Sequence, residues 1–99
     1  MIYAVIDTNV LVSSFLSKGD SPPVTVVREM LGGRIIPLFN SYLLREYREV
    51  LSRTKFGIRA EDVDFMVNAI EHYGKRVETS NSGTILPDRG FNTPLIIEF

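Results

Sequence analysis

The chain has 99 residues, of which 44% are hydrophobic and 23% charged, and its formal net charge is −1. This size fits one small domain, and the composition excludes a wholly disordered chain, a collagen or a coiled coil. The absence of cysteine excludes disulfides and thiolate metal sites, and the single histidine, His72, excludes a zinc site built from several histidines. The charge lacks the basic excess of strong nonspecific nucleic-acid binders, although metal-assisted contact stays open.

The first predicted element is a strand at 2–6, an apolar run typical of a strand that is buried on both faces. Asp7 or Thr8 then caps a helix over about 9–16. A Ser-Pro-Pro segment predicts the start of a second helix over about 21–31, and a pair of glycines ends it.

A second strand is predicted at 35–39, where Pro37 indicates an edge strand or a short one. The strongest helical periodicity in the chain follows, over about 41–52. A further helix is predicted over about 60–73, with Tyr73 facing inward, and Gly74 ends that helix.

Residues 75–78 can form a short strand, and glycines and prolines break the pattern after that segment. The succession of strands and helices predicts an α/β fold with a short parallel sheet flanked by helices, in which the first two strands are adjacent. Because only two strands are secure, we expect the chain to be the first part of such a fold.

The amino-terminal segment does not have the pattern of a membrane span or a secretory signal. The apolar stretch from Val10 to Leu16 is too short to cross a bilayer. The segment before it has no basic region, and Asp7 interrupts its apolar run. We therefore expect a cytoplasmic protein with no membrane partner.

Asp7 is the first candidate site residue, because it follows the first strand directly. Sites in open α/β sheets lie beyond the carboxyl ends of the strands, and the amides of a helix amino terminus help a carboxylate there to stay ionised. Asn9, two positions later, could orient a partner or a water. The alternative interpretation is that Asp7 only caps the helix.

Glu46 is the second candidate. At about 100° per residue, it falls at the border of the apolar helix face, whereas Glu49 points to solvent. The alternative is a solvated charge between Arg45 and Arg48. Two carboxylates without histidine or cysteine favour a hard cation, Mg²⁺ or Mn²⁺, which can position a water and stabilise charge on a phosphoryl group.

Two segments carry a resemblance to a known family. Residues 5–13, Val-Ile-Asp-Thr-Asn-Val-Leu-Val-Ser, resemble the opening of PIN-domain ribonucleases. Residues 40–51, Asn-Ser-Tyr-Leu-Leu-Arg-Glu-Tyr-Arg-Glu-Val-Leu, resemble the second motif of the family, whose glutamate falls on Glu46. The chain is most similar to the subgroup of toxins in toxin–antitoxin pairs, and the similarity covers about residues 1–88.

The resemblance implies a PIN-like three-layer α/β domain that acts as a metal-dependent endoribonuclease on single-stranded RNA. It places Asp7 and Glu46 at the first two acidic positions that hold Mg²⁺ or Mn²⁺, with Asn9 supporting Asp7. The stretch that ends at Asp88 resembles the approach to the third acidic position. A cognate antitoxin is the implied protein partner.

The sequence departs from the family after Asp88, where further aspartates and an alanine-rich helix would follow. We expect residues 1–88 to be the amino-terminal part of a PIN-like domain that is missing its carboxy-terminal strands. We expect residues 89–99 to be a divergent tail, out of frame after a frameshift or left by an early stop. Such a chain could be impaired in catalysis and could self-associate as a homo-oligomer, with 95–99 added as a strand.

Two other functions compete with a ribonuclease. One is a catalytically inactive PIN remnant that only binds a protein partner such as an antitoxin. The other is a phosphatase of the haloacid-dehalogenase type, which would need Asp-x-Asp followed by Gly-Thr. Asn9 replaces the second aspartate of that motif, so we rank the phosphatase third.

Two further features have competing interpretations. His72 lies near the end of a predicted helix, where a surface or capping role is favoured over catalysis because no serine-nucleophile motif is present. The segment 45–59 is mildly basic and could contact phosphates. The interleaved glutamates favour a solvated helix face instead.

Overall fold

The structure is a computed structural model that describes residues 2–77 and the strand at 95–97. The described elements follow the predicted strand and helix order closely. They are, in chain order, β1 (Ile2–Ile6), α1 (Thr8–Leu16), α2 (Pro22–Leu31), β2 (Ile35–Phe39), α3 (Ser41–Leu51), a 3-10 turn (Thr54–Phe56), α4 (Ala60–Tyr73), β3 (Lys75–Arg76) and β4 (Leu95–Ile97).

The strands form one parallel sheet in the order β3-β2-β1-β4. The prediction that the first two strands are adjacent is confirmed, because Ile2 pairs with Ile35. On its other side β1 pairs with β4, where Ala4 is in register with Leu95. The sheet therefore has more strands than the two that the sequence pattern made secure. The additional strands, β3 and β4, have two and three residues, which is too short to show the alternating pattern that predicts a strand.

The sheet is flanked by helices, and one buried cluster joins the two kinds of element. All four described helices contribute to this cluster, which explains why each has an apolar face. Its most buried members include Ile6, Val10, Leu11, Met30, Tyr47, Leu51 and Ile70. The predicted α/β class is confirmed. Among the described residues, no helix is long and apolar enough to cross a membrane.

The position of Pro37 decides between two expectations, an edge strand or a short one. β2 is short, but it is not an edge strand, because β3 pairs with it on the side away from β1. The Val77 amide donates to the Phe39 carbonyl at 2.8 Å, and backbone groups two residues apart in a strand face the same side. Pro37 thus faces the β3 side, but β3 pairs only with Leu38 and Phe39. The missing amide of Pro37 therefore removes no sheet hydrogen bond.

The expectation that Tyr73 faces inward is wrong. Its side chain is 45% exposed, and its ring contacts the neighbouring His72 edge-on at 4.9 Å between centroids. The close approach to the sheet falls on the next residue, since a Cβ on Gly74 would lie 2.3 Å from the Pro37 carbonyl oxygen. Tyr73 is the last residue of α4 and the chain leaves the helix at Gly74, so helical periodicity is a poor guide to burial at this position.

Candidate functional site

Asp7 joins β1 to α1. Its backbone is extended, and its Oδ1 accepts a hydrogen bond from the Asn9 amide at 2.8 Å. This is an N-cap, which holds the carboxylate against the amino terminus of α1. Within the described residues, no group donates to the second oxygen of Asp7. The side chain is partly exposed, so capping leaves that oxygen free to bind something else.

The orientation of α3 depends on contacts at two places. At the start of the helix, the Asn40 Oδ1 accepts from the Leu43 amide at 2.7 Å. About two turns after the cap, the hydroxyl of the buried Tyr47 donates to the carbonyl of Ile6, the last residue of β1. Ile6 directly precedes Asp7, and Glu46 directly precedes Tyr47. This hydrogen bond therefore connects the turn of α3 that contains Glu46 to the end of β1 next to Asp7.

The sequence pattern identified Tyr47 as a core residue, but it did not indicate what the hydroxyl does. Burial raises the pKa of the Tyr47 hydroxyl, and the negative charges of Glu46 and Asp7 raise it further. Both carboxylates thus favour the neutral form of this hydroxyl. The sequence could have indicated that the Tyr47 hydroxyl has a partner, because a buried tyrosine hydroxyl usually forms a hydrogen bond. It could not have indicated which residue that partner is.

Asp7, Asn9 and Glu46 line one open cleft of about 440 Å³ at the carboxyl end of β1. Asn9 and Glu46 are exposed, so all three side chains are accessible from solvent. The other lining residues are Val5, Ile6, Thr8, Leu43, Val50 and Arg53. The structure thus brings together three of the four predicted site residues. Asp88 lies outside the described residues.

The donor atoms of the cleft suit a hard cation. Asp7 and Glu46 supply carboxylate oxygens and Asn9 supplies an amide oxygen, which are ligands that Mg²⁺ and Mn²⁺ accept. In the part of the chain that the structure describes, no three histidine, cysteine, aspartate or glutamate residues group closely enough to hold a metal ion. The described residues therefore fit part of a metal site, with two carboxylates.

Arg53 brings a positive charge to the same cleft. It pairs with Glu49, with Nη2 3.1 Å from Oε2, and both side chains are largely solvent-exposed. The sequence placed Arg53 only in a mildly basic stretch with two interpretations. Arg48 of that stretch bridges to Asp64 on α4 instead and does not line the cleft.

The exposed position of His72 agrees with a surface role. It lies in the last turn of α4, and it is not among the residues that line the cleft.

The comparisons with known proteins agree with the fold. The family model for the PIN domain matches residues 3–90, which include all but the first residue of β1, all four described helices and the cleft residues. No curated protein and no solved structure shows a significant match. The chain belongs to the PIN-domain family, a family associated in general with nuclease activity.

Proposed function

We propose that the chain is a metal-dependent endoribonuclease of the PIN type that cuts single-stranded RNA. The observation that supports this most is that Asp7 and Glu46, from elements 39 positions apart in the sequence, line the same cleft. In this proposal they hold Mg²⁺ or Mn²⁺, Asn9 supports Asp7, and Asp88 adds a third carboxylate.

The chain's own residues would prepare the site in three ways. The Asn9 amide holds one oxygen of Asp7 and leaves the other accessible. Tyr47 fixes α3 against the end of β1, which supports a role in holding Glu46 at the cleft that Asp7 also lines. A bound divalent cation would supply charge stabilisation at the phosphoryl group and a polarised water.

The test compares Asp7→Asn, Glu46→Gln and Glu49→Gln. Asparagine caps helices as well as aspartate does, so Asp7→Asn should keep the fold while losing a metal ligand. We expect Asp7→Asn and Glu46→Gln to weaken Mn²⁺ binding, measured by calorimetry, and to slow cleavage of a labelled single-stranded RNA at least 100-fold. Glu49→Gln is the matched control, because Glu49 lies on the same helix but outside the cleft lining. Equal activity in all three variants, or a wild-type chain that neither binds Mn²⁺ nor cuts RNA, would contradict the proposal.

The toxin role is a further part of the proposal, and it is supported by the resemblance to toxins of toxin–antitoxin pairs. It predicts that induced expression slows bacterial growth, that Asp7→Asn relieves the effect, and that a cognate antitoxin binds the chain. Normal growth with the wild-type chain, together with intact partner binding by Asp7→Asn, would favour the inactive remnant.

A further inference from the structure

We infer that Arg53 binds a backbone phosphate of the nucleic-acid strand that occupies the cleft. This inference rests on the proposed function, since it assigns a substrate contact to the same cleft. The basic stretch at 45–59 had two interpretations, phosphate contact or a solvated helix face. The inference assigns phosphate contact to one residue of that stretch, Arg53.

The first support is position. Arg53 follows Glu46 by seven residues and lies two residues past the end of α3. The Arg53 amide donates to the Val50 carbonyl at 3.1 Å, so the turn that closes α3 holds Arg53 next to the last turn of the helix. Both side chains line the cleft. A strand whose cut phosphate lies between Asp7 and Glu46 would therefore bring a neighbouring phosphate towards Arg53.

The second support is that the guanidinium of Arg53 is available to bind a ligand. The Arg53 side chain is 47% exposed, and its partner Glu49 is 61% exposed. Its contacts to Glu49 are 3.1–3.4 Å long, and such exposed pairs contribute little to stability. A guanidinium has five N–H donors in a planar fork that matches a phosphate, so Arg53 can bind one without a large loss elsewhere.

The third support is charge. The cleft carries two carboxylates, which repel a polyanion, and Arg53 is the one cationic side chain among its described lining residues. The chain as a whole has a net charge of −1, so it offers no general attraction for a nucleic acid. A single cation that lines the cleft therefore contributes a larger share of the attraction for a nucleic acid here than it would in a basic protein.

The experiment measures binding of a labelled single-stranded RNA in Ca²⁺ by fluorescence anisotropy, over a series of salt concentrations. We expect Arg53→Gln to raise Kd about tenfold. Loss of one phosphate contact should flatten the slope of log Kd against log salt by about 0.7, the value for single strands. Mn²⁺ affinity should stay the same or rise, because a positive charge near the metal site has been removed. In cleavage with Mn²⁺, KM should rise more than kcat falls.

Two matched variants separate this role from a structural one. Arg48→Gln removes an arginine that is also 47% exposed and ion-paired on α3 but lies outside the cleft lining, so its salt slope should match the wild type. Glu49→Gln breaks the ion pair and keeps the guanidinium, so it should bind RNA at least as well as the wild type. The inference is overturned if Arg53→Gln keeps the wild-type slope, if Arg48→Gln loses as much, or if Glu49→Gln loses affinity like Arg53→Gln.

The same measurements distinguish failure of this inference from failure of the proposed function. A wild-type chain that binds RNA without cutting it would contradict the ribonuclease, while the variants would still decide the role of Arg53. A wild-type chain that binds Mn²⁺ but no RNA would overturn the assignment of Arg53 and leave the metal site standing.

Discussion

At the scale of single residues, Tyr47 connects the core to the candidate site. Its ring is buried in the cluster that joins the helices, and its hydroxyl reaches the last carbonyl of β1. The two carboxylates of the cleft are sequence neighbours of the two residues in this contact, since Glu46 precedes Tyr47 and Asp7 follows Ile6. Stability and site geometry therefore depend on the same side chain.

We predict that Tyr47→Phe lowers the free energy of unfolding by about 1–2 kcal/mol, because the buried Ile6 carbonyl loses its donor while the ring still fills its place. Chemical denaturation measures the change. Tyr42→Phe is the control, because Tyr42 is 50% exposed and its hydroxyl already meets water. Equal stability of the two variants would show that the buried hydrogen bond contributes nothing measurable.

The raised pKa of Tyr47 predicts a loss of stability at alkaline pH. The unfolded tyrosine ionises near pH 10, whereas the folded chain holds the hydroxyl neutral to higher pH because of burial and the nearby carboxylates. Above pH 10 the unfolded state therefore binds fewer protons, and the free energy of unfolding falls as pH rises. Denaturation at several pH values should show this fall in the wild type and a weaker fall in Tyr47→Phe. Parallel curves would contradict the prediction.

At the scale of elements, the junction of α4 and β3 depends on one glycine. The Gly74 backbone, with φ −91° and ψ −174°, is open to any residue, so its requirement is not conformational. A Cβ at this position would lie 2.3 Å from the Pro37 carbonyl oxygen and 2.4 Å from that of Ile70. The absence of a side chain lets the end of α4 rest directly on β2.

We predict that Gly74→Ala costs about 1–3 kcal/mol of stability, because backbone atoms must move to admit the methyl group. Thermal or chemical denaturation gives the value. Gly33 is a useful contrast, since its φ is +82° and nothing lies within 4 Å of its Cβ position. Asparagine tolerates that conformation, so Gly33→Asn should cost little and Gly74→Asn should cost at least as much as the alanine. Similar costs at both positions would argue against a steric cause.

At the scale of the whole molecule, β1 is one of the two inner strands of the sheet. It pairs with β2 on one side and β4 on the other, and it contributes the fully buried Ala4 and the nearly fully buried Ile6 to the interior. It also leads directly into Asp7. The strand that supports the candidate site is therefore paired on both sides, as is typical of sites placed on rigid elements.

We predict that amide hydrogen exchange is slowest in β1 and clearly faster in the two-residue β3, because central strands open only with the whole fold. Exchange followed by NMR at single residues provides the measurement. The amides of β1 that face β4 are the informative ones. If they exchange as fast as an exposed edge, the pairing of β1 with 95–97 does not hold in solution.

Much of the fold was predictable because its signals are local. The caps at Asp7, Ser21 and Asn40 each bond to an amide two or three residues away, so residue type and spacing are enough to indicate where a helix begins. Apolar runs and helical periodicity likewise indicated β1, β2 and α3. The choice of Asp7 and Glu46 as candidate site residues followed from a strand end and a helix face, together with the family motifs.

The sequence by itself thus determined the order of the elements, the α/β class and the residues that resemble a PIN nuclease. Only the tertiary structure decided that the Tyr47 hydroxyl reaches Ile6, 41 residues away, and that Arg53 rather than Arg48 lines the cleft. It also decided that Pro37 lies in an inner strand and that Tyr73 is exposed. The physical reason is that periodicity reports which face of an element is apolar, whereas partners distant in sequence are set by how the elements pack together.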